Sequence, residues 1–457
     1  EGRKFHLKVE NEIGIAYMEK AVEIDPEFAM AYRELAAMHL NLGHEADFWK
    51  YCKKALELSA RLPEFERRFI EGQSFYFFEE NYTKAIEVYE KLVKDYPGYA
   101  SGHFTLAYSH FSGAGNLDKA IQYFESAYQI QRTALTVVNF TTCYQFKGQY
   151  QKAEDLCRSF LQEVEDSWVV RAGLGFAYLL QRQFDPALTE FEKCRLLNPG
   201  AESLEHIGYG LLCKGDIIGA EKVYQQVFEK DRATGRNDLI ELALVRGKYG
   251  QAVSLSQQNL EESKGNKQNE ANAYGQVARS LEKTGRYEEA FEAFSYYLKL
   301  SAEYRKLAGE TGLPYLPSQQ KSDLFSKGRI QAEMRSFDEA QRAAGELKAL
   351  IDKGINTREL RWHEYILGQI ELGRTNYKKA ADLFGKACSR LPFEYGWGPS
   401  EQAPYFDNLA RALYDSGDLD KARQEYEKIT LLTTGRLNDG DIYAKAFYML
   451  GRIAQQQ

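Results

Sequence analysis

Residues 168 to 199 read WVVRAGLGFAYLLQRQFDPALTEFEKCRLLNP, and this stretch decides the fold. Leu174, Gly175 and Tyr178 fall on one face of a helix at i, i+1 and i+4, with Trp168 and Arg171 a turn earlier. Gln183 opens a turn. Ala187, Phe191 and Cys194 then recur at i, i+4 and i+7 on a second helix, which Pro199 stops because it lacks an N–H and clashes with the preceding turn. Small residues at Gly175 and Ala187 let two backbones approach closely, and Tyr178 and Phe191 fill the space around them. The pattern is that of an antiparallel helix pair.

The unit recurs along the 457 residues, with full copies beginning near 29, 66, 100, 134, 168, 201, 233, 271, 321, 361 and 403. The small position opening the second helix is Ala85, Ala120, Ala153, Ala187, Ala220, Ala252, Ala290, Ala340, Ala380 and Ala422, with Phe48 the exception that should splay its pair. The matching first-helix position is Ala36, Ala107, Gly175, Gly208, Ala278, Gly328, Gly368 or Ala410, whereas Gln73, Thr141 and Ile240 depart from it. The copies at 66, 134 and 233 are therefore expected to pack less regularly, that at 233 most of all.

This spacing of small and aromatic positions resembles the tetratricopeptide (TPR) repeat, whose unit is about 34 residues. The resemblance implies an all-α fold, a right-handed superhelical α-solenoid of antiparallel helix pairs. Residues 1–28 read as a partial repeat carrying only a second helix, 29–441 as eleven repeats, and 442–457 as a partial repeat carrying only a first helix. Insertions near 302–320 and 392–404 interrupt the array, and both should project from the same edge, as spacers or as a docking edge. The ladder is also similar to the TPR regions of bacterial receptor-like serine/threonine kinases, through DPEFAMAY at 25–32, ARLPEFERRFIEG at 60–72 and GDIYAKAFYMLG at 440–451. No kinase signature is present.

A net charge of -7, from 59 basic and 66 acidic residues mixed along the chain, gives no nucleic-acid stripe or membrane-surface patch. No apolar run reaches bilayer length, and residues 1–20 lack the apolar core of a signal peptide. The chain begins at Glu1, so an upstream segment is expected, and localisation stays open between cytoplasmic and exported. The six cysteines have no C-x-x-C spacing and read as buried thiols; a Cys143–Cys157 disulfide is conceivable only on export.

Chemistry is not written into this sequence. The seven histidines include His103 and His110 on one helix face, without carboxylate or cysteine at ligand spacing, so no metal is expected. DSGDLD at 415–420 lacks the glutamate that closes a calcium loop and reads as an inter-helix turn. With no nucleotide, hydrolase or metalloprotease motif, neither an enzyme nor a cofactor is expected. Asn81 and Asn139 open N-x-[ST] sequons, possible N-glycosylation sites that chance also explains.

What remains is surface. In TPR arrays the first helices line a concave groove that binds peptides or partner helices, and its positions here include Phe77, Phe104, Tyr108, Phe111, Phe146, Phe176 and Tyr209. From about residue 233 they turn polar, with Asn237, Glu241, Arg279, Glu282, Arg329, Glu333, Asp407 and Arg411. The leading expectation is a scaffold binding a protein or peptide in an aromatic groove, unless winding buries those rings. The alternative is head-to-tail self-assembly into a filament, in which Gly14, Met18 and Ala21 of the opening half-repeat would receive Phe447, Leu450, Gly451 and Ala454 of the closing one. Truncation of the array would explain the same two half-repeats.

Overall fold

The computed structural model describes residues 1–308, 313–398, 400–437 and 439–457. The chain opens with α1 (Gly2–Leu7) and α2 (Asn11–Ile24). There follow α3 (Ala29–Asn41) and α4 (Glu45–Leu58), α5 (Glu64–Phe77) and α6 (Tyr82–Asp95), α7 (Ala100–Tyr108) and α8 (Leu117–Ile130), then α9 (Ala134–Phe146) and α10 (Tyr150–Glu163). Next come α11 (Trp168–Leu180) and α12 (Phe184–Leu197), α13 (Ala201–Lys214) and α14 (Ile217–Lys230), then α15 (Arg232–Val245) and α16 (Tyr249–Ser263). The rest is α17 (Lys267–Glu282) and α18 (Tyr287–Leu307), α19 (Pro317–Glu333) and α20 (Phe337–Ile351), α21 (Leu360–Gly373) and α22 (Tyr377–Ser389), α23 (Gln402–Asp415) and α24 (Leu419–Leu431), and α25 (Gly440–Gln456). Among the described residues there is no strand, and the fold is an all-α solenoid of antiparallel helix pairs.

Two compact units divide the chain. Unit 1 holds Glu1–Gly173 with Arg305–Ser318 and Gly354–Thr357, and unit 2 holds Leu174–Tyr304, Gln319–Lys353 and Arg358–Gln457.

One packing rule serves both. The ten alanines of the second-helix ladder are all fully buried, and one turn later on the same face stand Tyr89, Phe124, Phe191, Tyr224, Phe384 and Tyr426, also buried. A glycine on the first helix receives several of these rings: a Cβ on Gly72, Gly175, Gly208 or Gly368 would lie under 3.0 Å from Tyr89, Phe191, Tyr224 or Phe384 respectively. The rule also absorbs the irregular repeats. Where the first-helix residue is larger, as at Thr141 and Ile240, the ring position shrinks to Cys157 and Ser256, and all four are buried. Phe48 is buried too, edge-on to Trp49 and Phe77 at 5.0 and 5.1 Å, and α3 still packs along α4.

Each repeat turns its corner on one residue of positive φ. The position is glycine at 43, 115, 148, 215, 247, 285 and 417, and Glu80, Arg182, Arg335 or Thr375 in the others. The amide after it closes back five residues onto the first helix, as Gln183 does onto the Tyr178 carbonyl at 2.9 Å. In the repeats at 66 and 100 that bond spans six residues, Asn81 to Phe75 and Asn116 to His110, and α7 runs into a π turn at Ser109–Gly113. The extra residue moves the small position from Gln73 to Gly72, so the departure expected at Gln73 is a shift of one place.

The described residues of the two insertions fold back onto the array. Of the first, residues 309–312 lie outside the described residues; α18 uses its opening as far as Leu307, and Leu313 and Leu316 pack within unit 1 on the cluster of Ala36, Phe48 and Trp49. Glu80 anchors its end by accepting from the Ser318 amide at 2.7 Å and from the Ser318 hydroxyl. The second, apart from Pro399, which lies outside the described residues, folds inward in unit 2. Burial of aromatic and leucine side chains draws both segments onto the array.

The terminal helices also differ from expectation. Residues 1–28 hold two helices: Gly14 of α2 is buried between Met38 and the backbone of α1, so the second helix has a partner. Met18 lies against Gly2, and Ala21 is half-buried. On α25 the inward face is Ala446, Leu450 and Ile453, packed with Tyr426 and Ile429, while Phe447, Gly451 and Ala454 are exposed. Leu450 thus faces inward as read from the sequence, whereas Ala446 and Ile453 take the places expected of Phe447 and Ala454, one residue along, with Ala446 in the cluster of Tyr426.

Candidate ligand groove

The aromatic positions read from the sequence divide between the units. In unit 2, Phe176 of α11 is covered by the loop at 392–404: the Trp397 ring lies 4.8 Å from Phe176 and 5.7 Å from His206. Tyr209 donates its hydroxyl to the Gly398 carbonyl at 2.9 Å, and Gly396 is needed where the backbone passes the Phe176 ring. Glu394 locks the loop by accepting from the amides of Thr433 at 2.9 Å and Gly435 at 2.7 Å. Phe176 and Tyr209 are thus in contact with the chain itself.

The polar positions of unit 2 meet partners on the neighbouring first helices, except Arg411, which meets Asp415 within α23. Arg279 forks onto Glu241 at 2.5 and 3.0 Å, Gln276 donates to Asn237 at 2.5 Å, and Arg329 meets Glu282 at 2.7 Å. Glu333 accepts from Gln369 at 2.8 Å, Asp407 meets Lys445 at 2.9 Å, and Arg411 stands 3.9 Å from Asp415. These side chains are committed.

Unit 1 is different. The inner faces of α3, α5, α7 and α9 enclose a cavity of about 200 Å³. Phe77, Phe104 and Tyr108 line one side; Phe104 and Tyr108 stack at 6.5 Å, Tyr108 meets Phe111 edge-on at 6.4 Å, and Phe111 meets Phe146 at 5.1 Å. Four of the seven aromatic positions therefore form one chain of rings, which Phe77 joins through Tyr76. Burial holds the Tyr76 and Tyr108 phenols above their ordinary range, so both stay protonated at neutral pH.

The opposite side is charged. Glu34 of α3, itself buried, accepts from His6 Nδ1 at 2.6 Å and from Arg33 at 2.5 Å, with Arg3 at 3.7 Å. Burial alone would raise its carboxyl, but Arg33, the His6 hydrogen bond and Arg3 outweigh it and hold it down at about 2. Arg33 lies over the Phe69 ring at 4.7 Å, and its Nε is buried with no acceptor. Sequence reading missed this cluster, since its partners come from separate helices; a charged Arg-Glu pair inside an otherwise apolar first helix was the available signal.

Asn139 lines the same cavity and gives its amide to the Leu135 carbonyl at 2.9 Å, while Asn81 caps α6 by accepting from the Lys84 amide at 3.2 Å. His110 is pushed down to about 4, by burial first and then Lys119, and stacks on Tyr123 at 5.6 Å. Among the described residues no group of three or more His, Cys, Asp or Glu is placed to hold a metal ion. All six cysteines are free thiols, Cys143 and Cys157 included, and burial pushes those of Cys52 and Cys388 up to about 12.

Family models described as tetratricopeptide repeat match residues 76–134 and 403–433. The chain contains tetratricopeptide repeats. No curated protein matches. Among solved structures, a tetratricopeptide repeat protein from Parabacteroides merdae is 15% identical, with a TM-score of 0.38, over 63% of this chain and 98% of that one. Yeast Tom70 is 13% identical at a TM-score of 0.38, over 94% of this chain and 96% of its own. A human IFIT1 dimer with m7Gppp-AAAA is 17% identical at 0.42, over 93% and 87%. The likeness to kinase-linked arrays rests on the short motifs at 25–32, 60–72 and 440–451 alone. No described helix is long and apolar enough to cross a membrane.

Proposed function

We propose that this chain is a non-catalytic TPR scaffold that captures a segment of a partner protein in the cavity of unit 1. The observation that carries this reading is the pairing of an aromatic wall, Phe77, Phe104 and Tyr108, with the buried Arg33–Glu34 cluster across about 200 Å³ of space. Such a mixture suits a peptide, whose side chains supply apolar surface while its backbone supplies donors and acceptors. In unit 2 the corresponding positions are covered by Trp397 or paired along the array, which concentrates the capacity for a partner in unit 1.

Head-to-tail assembly has one supporting feature, the exposure of Phe447 and Tyr448 on α25. On the other end Gly14 is already enclosed by Met38 and α1. Scattering from the purified chain at micromolar concentration tests it, and monomer mass throughout would remove it.

A photo-cross-linking residue at Leu135, on the cavity rim, tests the groove. A partner peptide recovered there, synthesised and measured by calorimetry, is expected to lose at least tenfold in affinity to a chain carrying Tyr108→Ala. Equal affinity, with the variant's helicity intact, would overturn the reading.

A further inference from the structure

The hydrogen-bonding groups that line the cavity of unit 1 have their directions already set. On α9, Asn139 gives its Nδ2 to the Leu135 carbonyl at 2.9 Å, which leaves Oδ1 as the acceptor end, and among the described residues nothing donates to that oxygen. On α7, Thr105 gives its hydroxyl proton to the Ser101 carbonyl at 3.0 Å and Ser109 gives its own to the Thr105 carbonyl at 2.8 Å, so both hydroxyls keep only lone pairs to offer. Helix α3 supplies the reverse. Arg33 lines the same cavity, and its Nε–H is buried with no acceptor. Buried polar groups of either kind cost free energy until something pairs them.

Fixed charge in the cavity is already matched, since Glu34, buried, accepts from His6 and from Arg33 on separate oxygens. An anion entering would stand beside Glu34, and a cation beside Arg33 and Arg3, whereas a neutral group meets neither repulsion. Resting on the groove reading above, we infer that unit 1 selects its partner segment by a glutamine or asparagine side chain. The carboxamide oxygen accepts from Arg33 Nε, and its NH2 donates to Asn139 Oδ1 or to the Thr105 and Ser109 hydroxyls. Apolar residues beside it in the segment lie on Phe104 and Tyr108. A carboxamide carries both an acceptor and donors without charge. Glutamate has the shape of glutamine but brings a charge and no N–H, and methionine, of similar length, brings neither group. Leaving the site's own buried groups unpaired is what makes a hydrogen-bonding site reject such analogues.

The test uses the full chain and peptides Gly-Phe-X-Leu-Gly, acetylated and amidated, with X as Gln, Asn, Glu, Lys or Met, titrated by calorimetry. The Gln or the Asn peptide should bind at least tenfold tighter than the other three. Asn139→Leu removes the oxygen and leaves the helix its backbone bonds, and Arg33→Lys removes the Nε–H while keeping a cation for Glu34. Each should bring the preferred peptide to within a few fold of the Met peptide, whose own affinity stays put; a merely structural defect would weaken all five alike. If one variant fails to fold, the other and the preference of the unaltered chain still decide. Equal affinity for the five, a preference for Glu or Lys, or no binding to any overturns the inference. A partner still cross-linked at Leu135 in those cases would leave the groove reading standing; its absence would remove both.

Discussion

Gly208 on α13 faces the ring of Tyr224 on α14 so closely that a Cβ there would lie under 3.0 Å from three ring carbons. Tyr224 is itself buried. Gly208→Ala should therefore cost about 1–3 kcal/mol through overpacking, more than the ~1 kcal/mol that alanine gains over glycine within a helix. Gly385 on α22 has nothing within 4 Å of a Cβ, and Gly385→Ala should instead stabilise by about 0.5–1 kcal/mol. Urea unfolding of the two variants should give opposite signs; equal signs would mean that the ring does not set the helix spacing.

The same contact explains how much was legible. Ala85 through Ala422 mark the helix crossings because nothing larger fits there, and their recurrence alone specifies an all-α solenoid. Gly72 was missed because the last turn of α5 holds one residue more than its neighbours, a local matter that repeat spacing averages away. On α25 the pattern places Leu450 inward rightly but puts Phe447 and Ala454 where Ala446 and Ile453 stand, for a related reason: Ala446 is chosen by Tyr426 in the same cluster, not by the pattern within the helix. Tyr108, Phe176 and Tyr209 occupy equivalent positions in their repeats, and the sequence cannot distinguish them. What separates them is tertiary: Trp397 lies on Phe176, from a loop far along the chain, while the space beside Tyr108 stays open. The glycines flanking Trp397 were the signal of a ring pressed against other rings.

Trp397 should therefore stabilise unit 2. It is half-buried, so Trp397→Ala is expected to cost roughly 2–3 kcal/mol, below the 3–5 of a wholly buried ring. Its indole N–H is buried without an acceptor, so Trp397→Phe keeps most of the ring contact while removing a desolvated donor and should cost under about 1 kcal/mol. Denaturant midpoints for both would decide; an alanine variant as stable as the parent would show that the loop merely rests on Phe176.

Thr375 holds φ at 64°, in the left-handed region, at the turn between α21 and α22. A β-branched residue is strained there by about 1–2 kcal/mol, against the ~0.5–1 that glycine's extra freedom costs on folding. Thr375→Gly should raise stability by about 0.5–1 kcal/mol, and Gly417→Ala, at φ 88° in the turn before α24, should lower it. Thermal unfolding that ranks the two variants the other way would remove strain as the explanation.

Asp238 on α15 supplies a pH dependence of opposite sense to that of an ordinary salt-bridged acid. Burial first, then Glu205, Glu241 and Asp231, push its carboxyl up to about 8; burial, Glu202 and Asp231 push Glu205 up to about 7, and Asp238 Oδ2 is buried with no partner. A carboxyl raised on folding keeps a proton that the unfolded chain, ionising near ~4, has already lost. The folded state thus binds more protons between about pH 4 and 8, so this contribution is fully favourable below that window and is lost as pH rises through it. Asp238→Asn keeps the shape and cannot ionise. Discounted for the partial exposure of Asp238, it should stabilise unit 2 by about 1–2 kcal/mol at pH 8 and by nothing measurable at pH 4. Urea unfolding at the two pH values checks this, and a variant no more stable than the parent at pH 8 would mean that the ionised Asp238 is already solvated or paired.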